Sequence, residues 1–286
     1  MGVVVVLAVG AVATGAVVRF LDSLDDESEP VRCAAELDGT SWYLSPEQAQ
    51  NAALITGTAV QRGLPGRAAT IGLATALQES RLENIDYGDR DSVGLFQQRP
   101  SQGWGTVAEI MDPVYSTGAF YDGLVEVPGY EDLEVTVAAQ AVQRSGFPDA
   151  YAQHETRARA WASALTGHSP GALTCHLPDL EAEAGDETVG DRAAQVSALA
   201  ARDLGMADGT VRAADDGTVH LDAAALGGET ATWTVAHWAV ATASATGAVE
   251  VRAGDLVWTR ADPTWHEADG DPQPEGRVTV GLVTGE

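Results

Sequence analysis

Arg67-Ala68-Ala69-Thr70-Ile71-Gly72-Leu73-Ala74-Thr75-Ala76-Leu77-Gln78-Glu79-Ser80 is followed, after a polar stretch, by Ser92-Val93-Gly94-Leu95-Phe96-Gln97-Gln98. The first segment is small or apolar on nearly every face as far as Leu77, which is the pattern of a helix enclosed by its domain. It delivers a carboxylate at its far end. Carboxylates are seldom buried without a partner or a task, so Glu79 is the first candidate for chemistry. Between the two segments Asn84, Asp86, Tyr87, Asp89 and Asp91 form a polar loop with turn signals at Tyr87-Gly88-Asp89. Helix end and loop together predict a cleft.

Outward from this core the helix signals continue in both directions. Ser45-Pro46-Glu47-Gln48 has the form of a capped helix start, and Gly63 with Pro65 marks its stop. Further helices are expected at 114–124, 133–144 and 149–165. Gly72, Ala76 and Glu79 share one face of the central helix, which permits close approach of another helix or of a sugar chain. The fold class expected for 33–175 is therefore mainly α, with a short irregular hairpin or loop inserted between helices.

Past 176–191, an acidic linker, the pattern changes. A helix at 192–204, short strands near 210–211, 219–221, 249–251, 256–258 and 278–283, and a helix carrying Trp233 and Trp238 make 192–286 a small α+β domain. Trp233, Trp238 and Trp258 read as its core, and His237 as a bonded core histidine. At the other end, Gly2 to Val18 is almost uninterruptedly apolar and is followed at once by acids. That predicts an export signal or membrane anchor over 1–20 and an acidic linker over 21–32.

The chain has 286 residues, 42 acids against 16 basic residues, and a net charge of −26. All the basic residues are arginine. Such a surface repels nucleic acid and anionic headgroups, so neither is expected as a partner. Cys33 and Cys175 bracket the cleft region and, in an exported protein, could form a disulfide closing a long loop; two unpaired buried cysteines are the alternative. Their spacing is not that of a metal site, and His154 with Glu155 lacks a third ligand, so no metal or organic cofactor is implied.

A carboxyl at the buried C-terminal end of a helix feels desolvation and the negative end of the dipole, both of which favour the protonated form. That is the state of a general acid that donates to a glycosidic oxygen. Gly94, Phe96, Gln97 and Gln98 offer backbone amides, a flat apolar ring and uncharged polar groups, a combination suited to saccharides.

On these residues the chain resembles the goose-type-lysozyme-like lytic transglycosylase superfamily, and within it the exported actinobacterial proteins that cleave peptidoglycan. The resemblance spans roughly 33–175, with a weaker likeness in the tail. Glu79-Ser80 corresponds to the family's catalytic glutamate and serine, and Gly94-Leu95-Phe96-Gln97 to its glycine-hydrophobic-hydrophobic-glutamine motif. Asp112-Pro113 with Gly118 and Tyr121 matches a third motif, while Ala141-Val142-Gln143 matches alanine-tyrosine-asparagine imperfectly, with Val142 in place of the tyrosine and Gln143 in place of the asparagine. That tyrosine's hydroxyl helps position the glutamate in the family. Here Gln143 or Tyr115 would have to replace it, or packing alone would hold Glu79.

The resemblance implies cleavage of the β-1,4 bond between N-acetylmuramic acid and N-acetylglucosamine, outside the cell, by one glutamate acting as acid and then base. Ser80, Gly94, Leu95, Phe96, Gln97, Tyr115 and Gln143 are the expected support and glycan-binding residues. Peptidoglycan strands are the implied partner, with the N-terminal segment meeting the membrane or export machinery. A hydrolytic muramidase would instead need a second carboxylate, Asp91 or Asp89, at about 5 Å or at roughly 6.5 to 9.5 Å from the first. A non-catalytic peptidoglycan-binding or envelope assembly protein is the reading from a different class.

Overall fold

The computed structural model describes residues 30–180 and 188–283. The expected signal or anchor at 1–20 lies outside them, as do most of the 21–32 linker and 181–187 of the second acidic stretch. Among the described residues no helix is long and apolar enough to cross a membrane.

The chain begins with an antiparallel pair, β1 (Arg32–Leu37) and β2 (Thr40–Leu44), and continues into α1 (Pro46–Gln61). Helix α1 starts where its local chemistry dictates: the Ser45 hydroxyl accepts from the Gln48 amide while the Gln48 side chain accepts from the Ser45 amide. Next comes α2 (Gly66–Ser80), then the polar loop, in which a lone bridge joins Val93 to Gln98. Short α3 (Val107–Ile110), α4 (Pro113–Val125), α5 (Val135–Gln143) and α6 (Glu155–Leu165) complete the helical part. Strand β3 (Leu173–His176) then returns to pair antiparallel with β1, placing Cys175 opposite Cys33, and the two cysteines are bonded.

Beyond it lie α7 (Val189–Leu204), β4 (Val211–Ala213), β5 (Thr218–Asp222), α8 (Ala231–Ala241), α9 (Ala243–Thr246), β6 (Ala248–Ala253), β7 (Leu256–Thr259), β8 (His266–Glu267) and β9 (Arg277–Leu282). The last six strands make one antiparallel sheet in the order β4-β5-β9-β6-β7-β8.

The expectation of a mainly α body with a hairpin insertion needs correction. With a three-stranded and a six-stranded antiparallel sheet beside its helices, the molecule is an α+β mixture. The reason is physical: β3 becomes a strand by pairing with β1 across about 140 residues, and a run such as Leu-Thr-Cys-His carries little strand pattern of its own. β1 pairs locally as well, with β2 across the left-handed Asp38-Gly39 turn.

From Val31 onward the described residues form one compact unit. Its helical and sheet-bearing parts join along two glycines: a Cβ at Gly57 of α1 would overlap the Asp203 carbonyl of α7, and one at Gly167 the Thr230 carbonyl ahead of α8. Indole donors fasten the same seam at Trp265 and Trp258, while Trp238 braces Asp203 from within the sheet-bearing part. Trp238 Nε1 donates to buried Asp203 at 2.9 Å, Trp265 Nε1 to the Leu173 carbonyl at 2.8 Å, and Trp258 Nε1 to Thr174 at 3.2 Å. Trp238 and Trp258 are fully enclosed, as expected of core residues, and Trp233 is partly so. His237 is buried with Nδ1 2.7 Å from the Ala164 carbonyl, and burial pushes its pKa down to about 4, so the ring is neutral.

Candidate active site

Helix α2 is buried on almost every side, and its small residues admit a neighbouring helix rather than a sugar. A Cβ at Gly72 would stand 2.7 Å from the Tyr121 hydroxyl, which donates to the Ile55 carbonyl at 3.0 Å. The helix ends abruptly just past Glu79. Arg81 and Leu82 both take left-handed φ angles, 59° and 64°, and their carbonyls are held by Gln48 Nε2 and Asn51 Nδ2 at 2.8 Å each. Left-handed backbone costs an ordinary residue about 1 to 2 kcal/mol, and here side chains from α1 maintain it. Glu79 therefore has a fixed place in the last turn.

Glu79 borders a cleft of about 590 Å³ that is also lined by Asp89, Arg90, Gln97, Arg99, Trp104, Gln143, Arg144 and Phe147. A second hollow of about 560 Å³ shares Gln102, Trp104, Gln143 and Arg144 with the first, so the groove extends past the acid on one side. Burial raises the Glu79 pKa above its ordinary value of 4.5, opposed by side-chain hydrogen bonds from Tyr151 and then Gln143. The Tyr151 hydroxyl donates to Glu79 Oε1 at 2.6 Å. Burial and the neighbouring carboxylate drive the Tyr151 pKa far up, so the phenol stays a donor.

Tyr151 is the residue that sequence reasoning missed. It stands in the turn Pro148-Asp149-Ala150-Tyr151, ahead of α6, where a helix was expected to run from 149 without interruption. The structure thus supplies a hydroxyl although Val142 has none; Val142 is buried, and a Cβ at Gly123 would stand 3.0 Å from its Cγ1. Nothing in the spacing ties position 151 to 79. A lone tyrosine just after the Pro148-Asp149 turn signal was the available clue.

The other expected residues divide. Ser80 donates to the Leu95 carbonyl at 2.7 Å and so ties the helix end to the loop, while Gln143 Nε2 donates to the Phe96 carbonyl at 2.7 Å besides bonding Glu79. Gln97 lies in the cleft wall with φ 46°, its amide donating to Tyr87 and Gly94 carbonyls at 3.2 and 3.3 Å. Phe96 offers no face to a sugar, because it is wholly buried and stacked on Phe120 at 4.6 Å. Leu95 is equally buried. The Gly94 amide is used by the Ile85 carbonyl at 2.7 Å, and its φ of 80° and tight approach to Ile110 explain the glycine. Tyr115 is directed to the Trp104 carbonyl at 3.1 Å, away from Glu79's hydrogen bonds. The aromatic surface in the cleft comes instead from Trp104 and Phe147.

Asp91 is spent on local structure. Its carboxylate accepts the Ser101 amide and Arg99 Nε, each at 2.8 Å, which holds its pKa well below the carboxylate range. It is absent from the residues that line the cleft. Asp89 does line it, but is almost fully exposed and 3.9 Å from Arg90. His154 Nε2 lies 3.0 Å from Gln78 Oε1, and Glu155 pairs with Arg67 at 3.1 Å, so both make contacts between helices. Among the described residues no three His, Cys, Asp or Glu converge as a metal site.

No protein-family model matches this chain, and no curated protein matches it.

Proposed function

We propose that the protein cleaves the glycan strands of peptidoglycan with Glu79 as its sole acid/base, in the manner of a lytic transglycosylase. The observation that carries this reading is the state of Glu79: a half-buried carboxyl in a groove, biased towards its protonated form, oriented by Tyr151 and Gln143. A protonated carboxyl can donate to the departing glycosidic oxygen, and the carboxylate left behind can take the proton of the muramyl 6-hydroxyl as it closes an anhydro ring. No second acid is needed. The commitment of Asp91 to Ser101 and Arg99 supports that economy.

Asp89, a second carboxylate lining the same cleft, favours one alternative, hydrolysis with Asp89 activating a water. Digestion of purified sacculi separates the two, because anhydro ends mark transglycosylation and reducing muramic ends mark hydrolysis. Should parent and Glu79→Gln proteins release equal fragments, or neither release any, the enzymatic reading fails and a binding or assembly role takes its place. The disulfide is compatible with an extracellular location, and a secreted or N-terminally anchored protein working on the wall is the corresponding proposal.

A further inference from the structure

The cleft has a charge balance opposite to that of the chain. Across the whole sequence acids outnumber bases 42 to 16, yet the groove beside Glu79 is lined by Arg90, Arg99 and Arg144 against Glu79 and Asp89. Three guanidinium groups against two carboxylates leave the lining with a positive excess. Two of the three guanidinium groups are answered locally: Arg99 by Asp91 at 2.8 Å, Arg90 loosely by Asp89. Arg144 has no ion-pair partner among the described residues, and it stands where the two hollows meet.

Its position is enforced. Arg144 ends α5 with φ 51°, a strained angle for a residue with a side chain. The following loop is clamped on both sides: Gln140 exchanges two hydrogen bonds with Ser145, at 2.9 and 3.0 Å, and Thr136 donates to the Pro148 carbonyl at 2.6 Å. Strained backbone persists only where surrounding structure over-determines it, and it concentrates at functional sites. Arg90 and Gln97, also left-handed, line the same groove.

We propose that Arg144 is a recognition point for a carboxylate carried by the glycan strand, so that the groove takes acidic strands in preference to neutral, chitin-like ones. This rests on the glycan reading given above. A protein of charge −26 repels an anionic polymer at long range, and screening confines that repulsion to about 10 Å at ordinary salt. Within the groove a planar guanidinium can meet a carboxylate with two parallel hydrogen bonds. The carboxylate could be the lactyl group of muramic acid or belong to the stem peptide; both present the same chemistry.

The test is calorimetric titration of the non-cleaving Glu79→Gln protein with four probes. These are a muramic acid–glucosamine tetrasaccharide with free lactyl carboxylates, its lactyl methylamide, the same glycan bearing an alanyl-isoglutamate stem, and chitotetraose. One or both carboxylate-bearing glycans should bind about tenfold more tightly than the methylamide, and which of them does so identifies the source. Adding Arg144→Gly should bring that ratio near one by weakening the acidic probes alone, and Arg144→Lys should keep part of it. Glycine suits φ 51°, so a melting temperature no lower than the parent's excludes misfolding. Persistence of the ratio in Arg144→Gly, equal weakening of all probes, or no preference at the outset would overturn the inference while leaving the glycan reading intact. Failure of all four probes to bind would remove the glycan reading, and the inference with it.

Discussion

The Tyr151 hydroxyl reaches Glu79 Oε1 from 72 residues further along the chain, at 2.6 Å. It bonds the form of the acid that exists after proton donation, and so it opposes the effect of burial on the same carboxyl. Tyr151→Phe should therefore do two things together. Turnover on sacculi should fall about 10- to 100-fold, the worth of one charge-assisted hydrogen bond. The alkaline limb of the kcat/KM profile should move to higher pH, since the carboxylate loses a donor. An unchanged limb would count against Tyr151 as the donor that sets it.

Glu79→Gln should lower turnover by at least about 100-fold at the pH optimum, and also alter stability in a pH-dependent way. The folded pKa of Glu79 lies above its unfolded value, so the parent is relatively most stable below about 4.3 and loses that contribution as pH rises through the folded pKa. Glutamine does not ionise, and its amide oxygen can still accept from Tyr151. The variant should melt above the parent at pH 8, with the gap closing towards pH 4, as followed by thermal unfolding across that range.

Asp91→Asn and Asp89→Asn test the single-acid reading from the other side. Removing a catalytic nucleophile or base would cost several orders of magnitude, whereas removing a loop-holding or exposed carboxylate should leave turnover within about tenfold of the parent. Initial rates with soluble wall fragments measure this. A loss on Asp89→Asn as deep as that on Glu79→Gln would favour the hydrolytic alternative.

How much of this was legible beforehand follows from the range of each interaction. The Ser45 cap and the end of α1 were readable because the groups that fix them lie within four residues. The placement of Glu79 in the last turn of a buried helix was readable too, from an acid ending an apolar run. Phe96 was misplaced because a motif's ring cannot be told from a core ring until Phe120 is seen stacked on it. Asp91 could not be separated from Asp89 because their different fates depend on Ser101 and Arg99, folded back by a turn. Tyr151 and β3 depend on partners some 70 to 140 residues distant, and no local pattern encodes them, whereas the β1–β2 hairpin is local and turns at Asp38-Gly39.

Gly57→Ala probes the seam between the helical and sheet-bearing parts. The added methyl meets a backbone carbonyl that no side-chain rotation can relieve, so α1 and α7 must move apart. Overpacking of this kind costs about 1 to 3 kcal/mol, measurable by urea unfolding. The Tyr151-dependent alkaline limb should stay where it is, because the seam lies outside the residues lining the groove.

Replacing Cys33 and Cys175 by serine reopens a loop of 142 residues in the unfolded chain. The loss expected from chain entropy is about 4 to 5 kcal/mol. Comparison of urea midpoints for the reduced, oxidised and doubly substituted proteins reads it directly.

The same bond has a mechanical meaning. Cys33 and Cys175 face each other on neighbouring strands, at the entrance and exit of everything that builds the groove. Tension applied between the chain before Cys33 and the chain after Cys175 passes through two sulfur atoms and bypasses every residue between them. Glu79, Tyr151 and Arg144 thus sit on an unloaded branch of the polymer. A pull along the chain can reach the tail without first drawing the groove open.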